Sequence, residues 1–286
     1  MENLKMKKTV ILSFMAGAML AASVGLFGGC SKTDANSDVR KNVLDDIRKT
    51  GVLRVAVESE APPFNYINEE TGETEGFEFE LISLVAKEMG IDRVTPVWTD
   101  DYEAIPEMIS KSQNLADIFM GGYVASDKIP NVVWSNPYYE GGGYCLIVPS
   151  ESTISGLNDL TGKKIGIYNE DAAEEFVRAN VSAPQAVNRF EDEDGDGAWM
   201  MKRLLDAPAS ERVDAIIYDC VFAYVEITKS DGKLKIVASG LHRLPYQIGL
   251  PAKNDDLKKE IDAALKKVMD SPAYAQLVTK YLDFNP

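Results

Sequence analysis

The chain has 286 residues, of which 45% are hydrophobic and 26% charged, so it can bury the core of one large domain or of two ordinary ones. This composition excludes an intrinsically disordered chain. Lys and Arg number 30 and Asp and Glu 45, and the resulting net charge of -15 excludes a nucleic-acid partner, because phosphate backbones are bound by clustered cations. One histidine, His242, and three cysteines argue against a typical zinc site and a Ser-His-Asp enzyme.

The N-terminus has the layout of an export signal. Lys5, Lys7 and Lys8 form a positive region, and residues 9–29 are uncharged and largely apolar. This layout predicts a signal peptide over residues 1–29. The segment FGGC, which ends at Cys30, resembles a bacterial lipobox and implies a lipid anchor on that cysteine. The alternative is an uncleaved membrane anchor, because about 20 apolar residues can span a bilayer.

Hydrophobic spacing predicts two successive series of strands and helices after a polar tether and a short helix that together span residues 30–50. The amphipathic helix covers residues 38–50. The first series has strands at 52–57, 94–98 and 116–120, helices at 77–89 and 102–110, and a hairpin turn at 68–76. The second has strands at 165–168 and 214–218 and helices at 172–179, 198–205 and 221–227, followed by tail helices at 255–268 and 272–281. Two such series predict two α/β lobes with parallel-rich sheets.

Two cysteines follow the predicted lipidation site. Cys145 and Cys220 each lie in an apolar, strand-like run. An exported chain can join them in a disulfide. A buried free cysteine also behaves as a small hydrophobic residue, so both interpretations stay open.

Six segments occur in the order and spacing of one family: GVLRVAVESEAPPFNYI, GETEGFEFELISLVAKEMGI, VVWSNPYYEGGGYCLIV, LNDLTGKKIGIY, RVDAIIYD and LVTKYLDF. Over about residues 51–284 the chain resembles the solute-binding proteins of polar amino acid ABC importers, the bacterial extracellular solute-binding proteins of family 3. The resemblance implies an α/β fold, a two-lobe clamp like that of periplasmic binding proteins, with a hinge of two crossing segments near 138–145 and 241–248. Lobe 1 would comprise residues 51–141 plus 246–286, and lobe 2 residues 142–245.

The resemblance also implies a function. The protein would be an extracytoplasmic receptor that traps a small polar, amino-acid-like or amine-bearing solute and delivers it to an ABC permease and its ATPase. It would be a lipid-anchored monomer of the cell envelope without cofactor, metal or catalysis. One alternative is a ligand-sensing domain for a signalling partner. Another is an enzyme on the same fold that resembles cyclohexadienyl dehydratases, although the family arginine that holds a substrate carboxylate is absent.

In lobe 1 the resemblance assigns three places to the ligand. Glu58 ends the first strand, where the family often has an acid near the ligand amino group, and the alternative is a surface carboxylate. Phe64 either stacks on the ligand or fills the lobe. Gly121 and Gly122 offer backbone contacts, and Tyr123 is expected to line the cleft.

Lys128 stands where the family has the arginine that grips the ligand α-carboxylate. Arginine presents a planar fork that matches a carboxylate, whereas lysine offers a point charge, so the replacement is not conservative. Lys128 is therefore expected either to hold an anionic group or to be a solvated surface lysine.

In lobe 2 the resemblance assigns Asn169, Glu170 and Asp171 to a helix start that meets the ligand carboxylate in relatives. Acids at this place could instead cap the helix. Asp219 matches the family aspartate that binds the ligand amino group. Together with Glu58, these acids predict an amine-bearing or cationic ligand by charge complementarity.

The acidic segment DEDGDG, residues 192–197, matches the first half of an EF-hand loop. The twelfth position is Arg203 rather than the bidentate glutamate that a calcium loop needs. A solvated acidic loop is therefore expected, with calcium binding as the alternative.

Overall fold

The computed structural model describes residues 38–140, 142–168, 171–190 and 198–282, all within one folded unit of residues 35–286. Across these ranges, no helix combines the length and the apolar character needed to cross a membrane. The predicted signal peptide, lipidation at Cys30 and residues 30–37 of the tether lie outside the described residues. The acidic segment 192–197, with its calcium alternative, lies outside them as well.

The first sheet forms around an apolar strand whose interior residues are buried on both faces. Its strands are β1 (Val52–Glu58), β5 (Arg93–Thr99), β6 (Ile118–Phe119), β7 (Val132–Trp134) and β13 (Gly249–Pro251). The order is β5-β1-β6-β13-β7, with β1 parallel to β5 and β6 and with β13 antiparallel to β6 and β7. A small antiparallel sheet of β2 (Glu60–Ala61), β3 (Asn65–Ile67) and β4 (Thr74–Glu75) follows β1 and contains the predicted hairpin turn.

The second sheet takes all its strands from the middle of the chain. They are β8 (Tyr144–Pro149), β9 (Lys164–Tyr168), β10 (Ala186–Phe190), β11 (Ala215–Asp219) and β12 (Leu234–Ala238), in the order β10-β9-β11-β8-β12. β9 is parallel to β10 and β11, and β8 is antiparallel to β11 and β12. The first sheet thus uses residues before 135 and after 248, and the second uses residues 144–238, which agrees with two lobes. The lobe boundaries at 141/142 and 245/246 stay a prediction.

The helices lie close to their predicted positions. They are α1 (Val43–Thr50), α2 (Phe77–Glu88), α3 (Asp171–Asn180), α4 (Ala198–Leu205), α5 (Cys220–Lys229), α6 (Asp255–Met269) and α7 (Pro272–Tyr281). The predicted helix over 102–110 is instead a 3-10 helix, Tyr102–Ile109. Pro106 lies inside it and has no N–H to donate, which disfavours a regular α-helix there.

The predicted helix over 38–50 begins only at Val43, because the residues before it are held by lobe 1. The Arg40 guanidinium is buried, donates to the Ala116 carbonyl at 3.2 Å and pairs with Asp117 at 2.7 Å. Arg54 also pairs with Asp117 at 2.7 Å. These bonds use the Ala116 carbonyl and the Asp117 carboxylate, which directly precede β6. The strand β6 itself is shorter than the predicted strand over 116–120. The Asp117 N–H nevertheless donates to the Arg54 carbonyl of β1.

A disulfide joins Cys145 of β8 to Cys220, the first residue of α5, with their Cα atoms 4.9 Å apart. Of the two interpretations of these cysteines, the structure has the disulfide. Both residues are buried in the second-sheet core. The cross-link therefore fixes the start of α5 directly after Asp219, the last residue of β11.

Because this disulfide closes a loop with a sequence separation of 75, its loss should be costly. The chain-entropy model gives a stabilisation of about 4 kcal/mol for a loop of this size. We expect the double variant Cys145→Ala/Cys220→Ala to lose about this much free energy of unfolding in a urea titration. Reduced wild-type protein, which keeps both sulfur atoms in the core, is the control for lost packing. A loss below about 1 kcal/mol in both samples would contradict the prediction.

Candidate functional site

The loop after β1 brings an aromatic ring into the interior. Glu58, the last residue of β1, is half-buried. The loop contains a cis peptide bond between Pro62 and Pro63, and the next residue, Phe64, is fully buried. Phe64 thus packs inside the structure, and its contact with a ligand stays a prediction, as does that of Glu58.

Aromatic rings tie the two lobes and both crossing segments together. The ring of Phe64 meets Phe222 of α5 edge-on at 5.4 Å and meets Tyr246 edge-on at 5.5 Å. Tyr246, in the return crossing segment, stacks on Tyr139 of the outgoing segment at 5.7 Å. Such contacts contribute about 0.5–1.5 kcal/mol each beyond the area they bury. We call these four residues the aromatic junction.

The chain bends sharply after β6 at two glycines. Gly121 has φ +148° and Gly122 has φ +69°. Residues with a Cβ atom rarely adopt such positive φ values, whereas glycine adopts them readily. A Cβ atom on Gly122 would lie 3.5 Å from the Phe64 ring, so this bend runs directly against the aromatic junction. The bend therefore brings the backbone of these glycines next to the place where the lobes meet, and its predicted contacts with a ligand stay a prediction.

Tyr123 follows the bend and turns into lobe 1. It is buried, it stacks in parallel on Tyr102 at 4.5 Å, and its hydroxyl donates to the Tyr102 carbonyl at 2.8 Å. Burial raises its pKa well above the ordinary value of a phenol. The ring also meets Phe119 edge-on at 4.9 Å. Its predicted place in the cleft wall stays a prediction.

Asp219 ends β11 at the entrance to α5. It is half-buried and serves as the N-cap residue, with its carboxylate accepting from the Val221 N–H at 2.8 Å. The other carboxylate oxygen accepts from the Tyr246 hydroxyl. Burial is the main reason that the pKa of Tyr246 lies well above its ordinary value, and the charge of Asp219 raises it further. The acid thus lies where lobe 2 meets the return segment.

A buried acid that the sequence analysis did not single out, Glu78, is linked to the aromatic junction through Gly122 and Tyr138. Glu78, the second residue of α2, is fully buried and accepts from the Gly122 N–H at 2.8 Å, from Asn65 Nδ2 at 2.6 Å and from the Tyr138 hydroxyl. Burial raises the pKa of its carboxyl, and these hydrogen bonds oppose the rise. The sequence did contain a sign of this acid, because Glu78 shares a helix face with the apolar residues Ile82 and Val85.

Lys128 is exposed and lies at a surface groove of lobe 1 of about 370 Å³. Tyr102, Tyr123 and Glu103 also line this groove. The predicted role of Lys128 toward an anionic group stays a prediction.

Three predicted ligand residues at the start of α3 fall largely outside the described part of the chain. Asn169 and Glu170 lie outside the described residues. Asp171 begins α3, but its side chain is not among the described ones. Their roles stay predictions. Within the described ranges, no group of three or more His, Cys, Asp or Glu side chains could hold a metal ion.

Comparison with known proteins gives consistent results. Residues 53–284 match the sequence profile of the bacterial extracellular solute-binding proteins, family 3. The chain is 26% identical over 262 residues to the L-cystine-binding protein TcyJ of Escherichia coli K12, covering 91% of this chain and 92% of the relative. It is 22% identical over 285 residues to the ABC transporter glutamine-binding protein GlnH of Bacillus subtilis, covering 98% and 99%.

Solved structures agree with the predicted fold class. An ancestral arginine-binding protein bound to arginine matches with a TM-score of 0.61 and 26% identity, covering 81% of this chain and 98% of that one. With the two sheets described above, this confirms the two-lobe α/β clamp.

The hydrogen bond from Tyr246 to Asp219 should stabilise the junction measurably. We expect Tyr246→Phe to lower the free energy of unfolding by about 1.5 kcal/mol, because the bond involves a charged acceptor that is partly buried. Tyr139→Phe keeps the stacked ring and is the control. Urea titrations measure both, and equal effects of the two variants would refute the assigned contribution of this bond.

Proposed function

Because the chain belongs to the bacterial extracellular solute-binding proteins of family 3, we propose that it is the extracytoplasmic receptor of an ABC importer. It traps a small amino-acid-like solute with an amino group between its two lobes and delivers it to the permease. The observation that carries this proposal is the Asp219 carboxylate, which the return segment and the start of α5 hold at the meeting point of the lobes.

In this proposal the ligand amino group binds to acids from both lobes. Asp219 is held in place by its N-cap bond and by Tyr246, so it is preorganised to accept a further donor. Glu58 at the end of β1 supplies the acid of lobe 1. With more acids than bases assigned to the site, an amine-bearing solute is favoured over an anionic one. The curated relatives bind cystine and glutamine, so neutral amino acids belong in the test as well.

The remaining assigned residues complete the site. Gly121 and Gly122 offer backbone groups, and Lys128 holds an anionic group of the ligand in place of an arginine. Asn169, Glu170 and Asp171 supply the start of α3. Phe64 stacks on the ligand or fills lobe 1, where its ring meets Tyr246, and Tyr123 lines the cleft beside Tyr102.

The lobes of the proposal are residues 51–141 plus 246–286 and residues 142–245. Only the two crossing segments connect them covalently, and Tyr246 pairs with Tyr139 there as an isolated antiparallel bridge. Rotation about this narrow connection would open and close the cleft. The protein works as a monomer that binds and releases solute without turnover, cofactor or metal.

The first test is a thermal-shift screen of residues 31–286 with amino acids and di- and polyamines. A ligand at about 100 times its Kd should raise the melting temperature by roughly 5–10 °C, because it binds only the folded state. We expect Asp219→Asn to weaken binding of any hit at least about tenfold, since it removes the charge that pairs with the amino group.

Asp231→Asn is the matched control, because it makes the same change at an exposed turn of lobe 2. Equal affinities of wild type and Asp219→Asn would overturn the assigned role of Asp219. Conversion of a bound compound to product would overturn the receptor function in favour of an enzyme.

The lipid anchor is tested separately. We propose that residues 1–29 are removed and that Cys30 becomes the lipidated first residue, followed by a polar tether. We expect full-length wild-type protein in the membrane fraction of a bacterial host and Cys30→Ser in the soluble fraction or with its signal peptide uncleaved. Ser31→Ala is the control. Membrane association and processing that are unchanged in Cys30→Ser would rule out the anchor.

A further inference from the structure

The buried carboxyl of Glu78 connects three segments of lobe 1 that are far apart in sequence. Its donors are the Gly122 N–H in the glycine bend, Asn65 Nδ2 in β3 and the Tyr138 hydroxyl in the outgoing crossing segment. Each of these donors is a neutral group. Glu78 therefore depends on their geometry rather than on a counter-ion in this network.

Burial makes this geometry demanding. A carboxyl removed from water is costly unless its oxygens keep hydrogen bonds, and losing one partner leaves a buried group unsatisfied. If the glycine bend or Tyr138 moved relative to α2, at least one of these bonds would break. The network thus resists relative motion of the three segments.

Tyr138 is in turn fixed to the hinge. Its N–H donates to the Tyr246 carbonyl at 2.9 Å, and its own carbonyl accepts from the Tyr274 hydroxyl of α7 at 2.6 Å. Its ring is fully buried next to Phe77 and Tyr246. A shift of the crossing segment at this residue would therefore be transmitted to Glu78.

We propose that Glu78 is a positioning residue that holds the Gly121–Gly122 bend to Tyr138, so that the bend and the outgoing crossing segment move as one unit when the lobes open and close. The link to binding rests on the proposed function, in which this bend faces the solute. Glu78 is fully buried, so in this proposal it acts through the backbone of Gly122.

The network also has a pH signature. Burial raises the pKa of Glu78, and the hydrogen bond from Tyr138 lowers it. A carboxyl whose pKa is higher in the folded than in the unfolded state contributes stability that is fully present below the unfolded pKa and is lost as pH rises toward the folded pKa. The titratable groups that interact electrostatically with Glu78 are Tyr102, Tyr123 and Tyr138. Burial raises the pKa of each of these tyrosines.

Amide hydrogen exchange of full mature protein tests the proposal without any ligand. We expect Tyr138→Phe, which removes one donor and keeps the ring, to speed exchange at the Gly122 amide by about tenfold, because the freed carboxyl no longer fixes the bend. Tyr281→Phe is the matched control, since it removes a hydroxyl that donates to Glu80 on the same helix. Its Gly122 amide should exchange within about twofold of the wild-type rate.

The pH dependence of stability gives a second readout, which tests whether Glu78 is the buried acid that titrates within this network. Relative to Glu78→Gln, which cannot ionise, the melting temperature of wild type should fall as pH rises above about 4.3, the ordinary pKa of a glutamate. In Tyr138→Phe this fall should extend to higher pH, because the bond that lowers the pKa is gone. Unchanged Gly122 exchange in Tyr138→Phe, or pH profiles of wild type and Glu78→Gln that run parallel, would overturn the proposal.

An affinity measurement separates this proposal from the proposed function. With L-arginine and L-glutamine as calorimetric probes, Tyr138→Phe should bind several-fold more weakly than wild type, and Tyr281→Phe should bind like wild type. If wild type binds neither probe, those two solutes are excluded, and the exchange and pH measurements still decide the role of Glu78. Equal affinities of Tyr138→Phe and wild type would refute the coupling to binding.

Discussion

Tyr246 is the residue at which the parts of this protein meet. Its N–H donates to the Tyr139 carbonyl at 2.9 Å, its carbonyl accepts from Tyr138, and its backbone also bridges to Val124 after the glycine bend. Its hydroxyl reaches Asp219 in lobe 2. Because the residue is fully buried, none of these polar groups can be satisfied by bulk water instead. Both crossing segments and both lobes are thus constrained by one side chain and its backbone.

Two acids are linked to this residue, Asp219 directly and Glu78 through Tyr138, and they are held in different ways. Asp219 is half-buried, with a backbone N–H and one hydroxyl as described donors, and a disulfide fixes the residue that follows it. Glu78 is fully buried within a network of neutral donors. Asp219 is partly exposed to solvent, whereas Glu78 is closed off from it. This difference agrees with the proposed roles of the two acids, Asp219 in binding and Glu78 in positioning.

Local sequence patterns located most elements of the fold. The spacing of apolar residues predicted α2, α4, α6 and α7 to within one residue at either end, because apolar residues recur at helical spacing in each of these segments. The pattern failed before Val43, where the residues pair with Asp117 and Ala116 across lobe 1 instead of forming a turn of helix. It also missed the 3-10 geometry around Pro106. In both places a specific bond or a missing donor outweighed periodicity.

The sequence by itself determined the two-series α/β organisation, the family resemblance and the acids at strand ends, Glu58 and Asp219, because these depend on local order along the chain. Only the tertiary structure decided between a disulfide and free thiols at Cys145 and Cys220. The tertiary structure alone also revealed the hydrogen bond between Asp219 and Tyr246, 27 residues apart, and the one between Glu78 and Tyr138, 60 residues apart. Such pairs leave no periodic trace, since they form only when the packing of two lobes and two crossing segments brings distant side chains together.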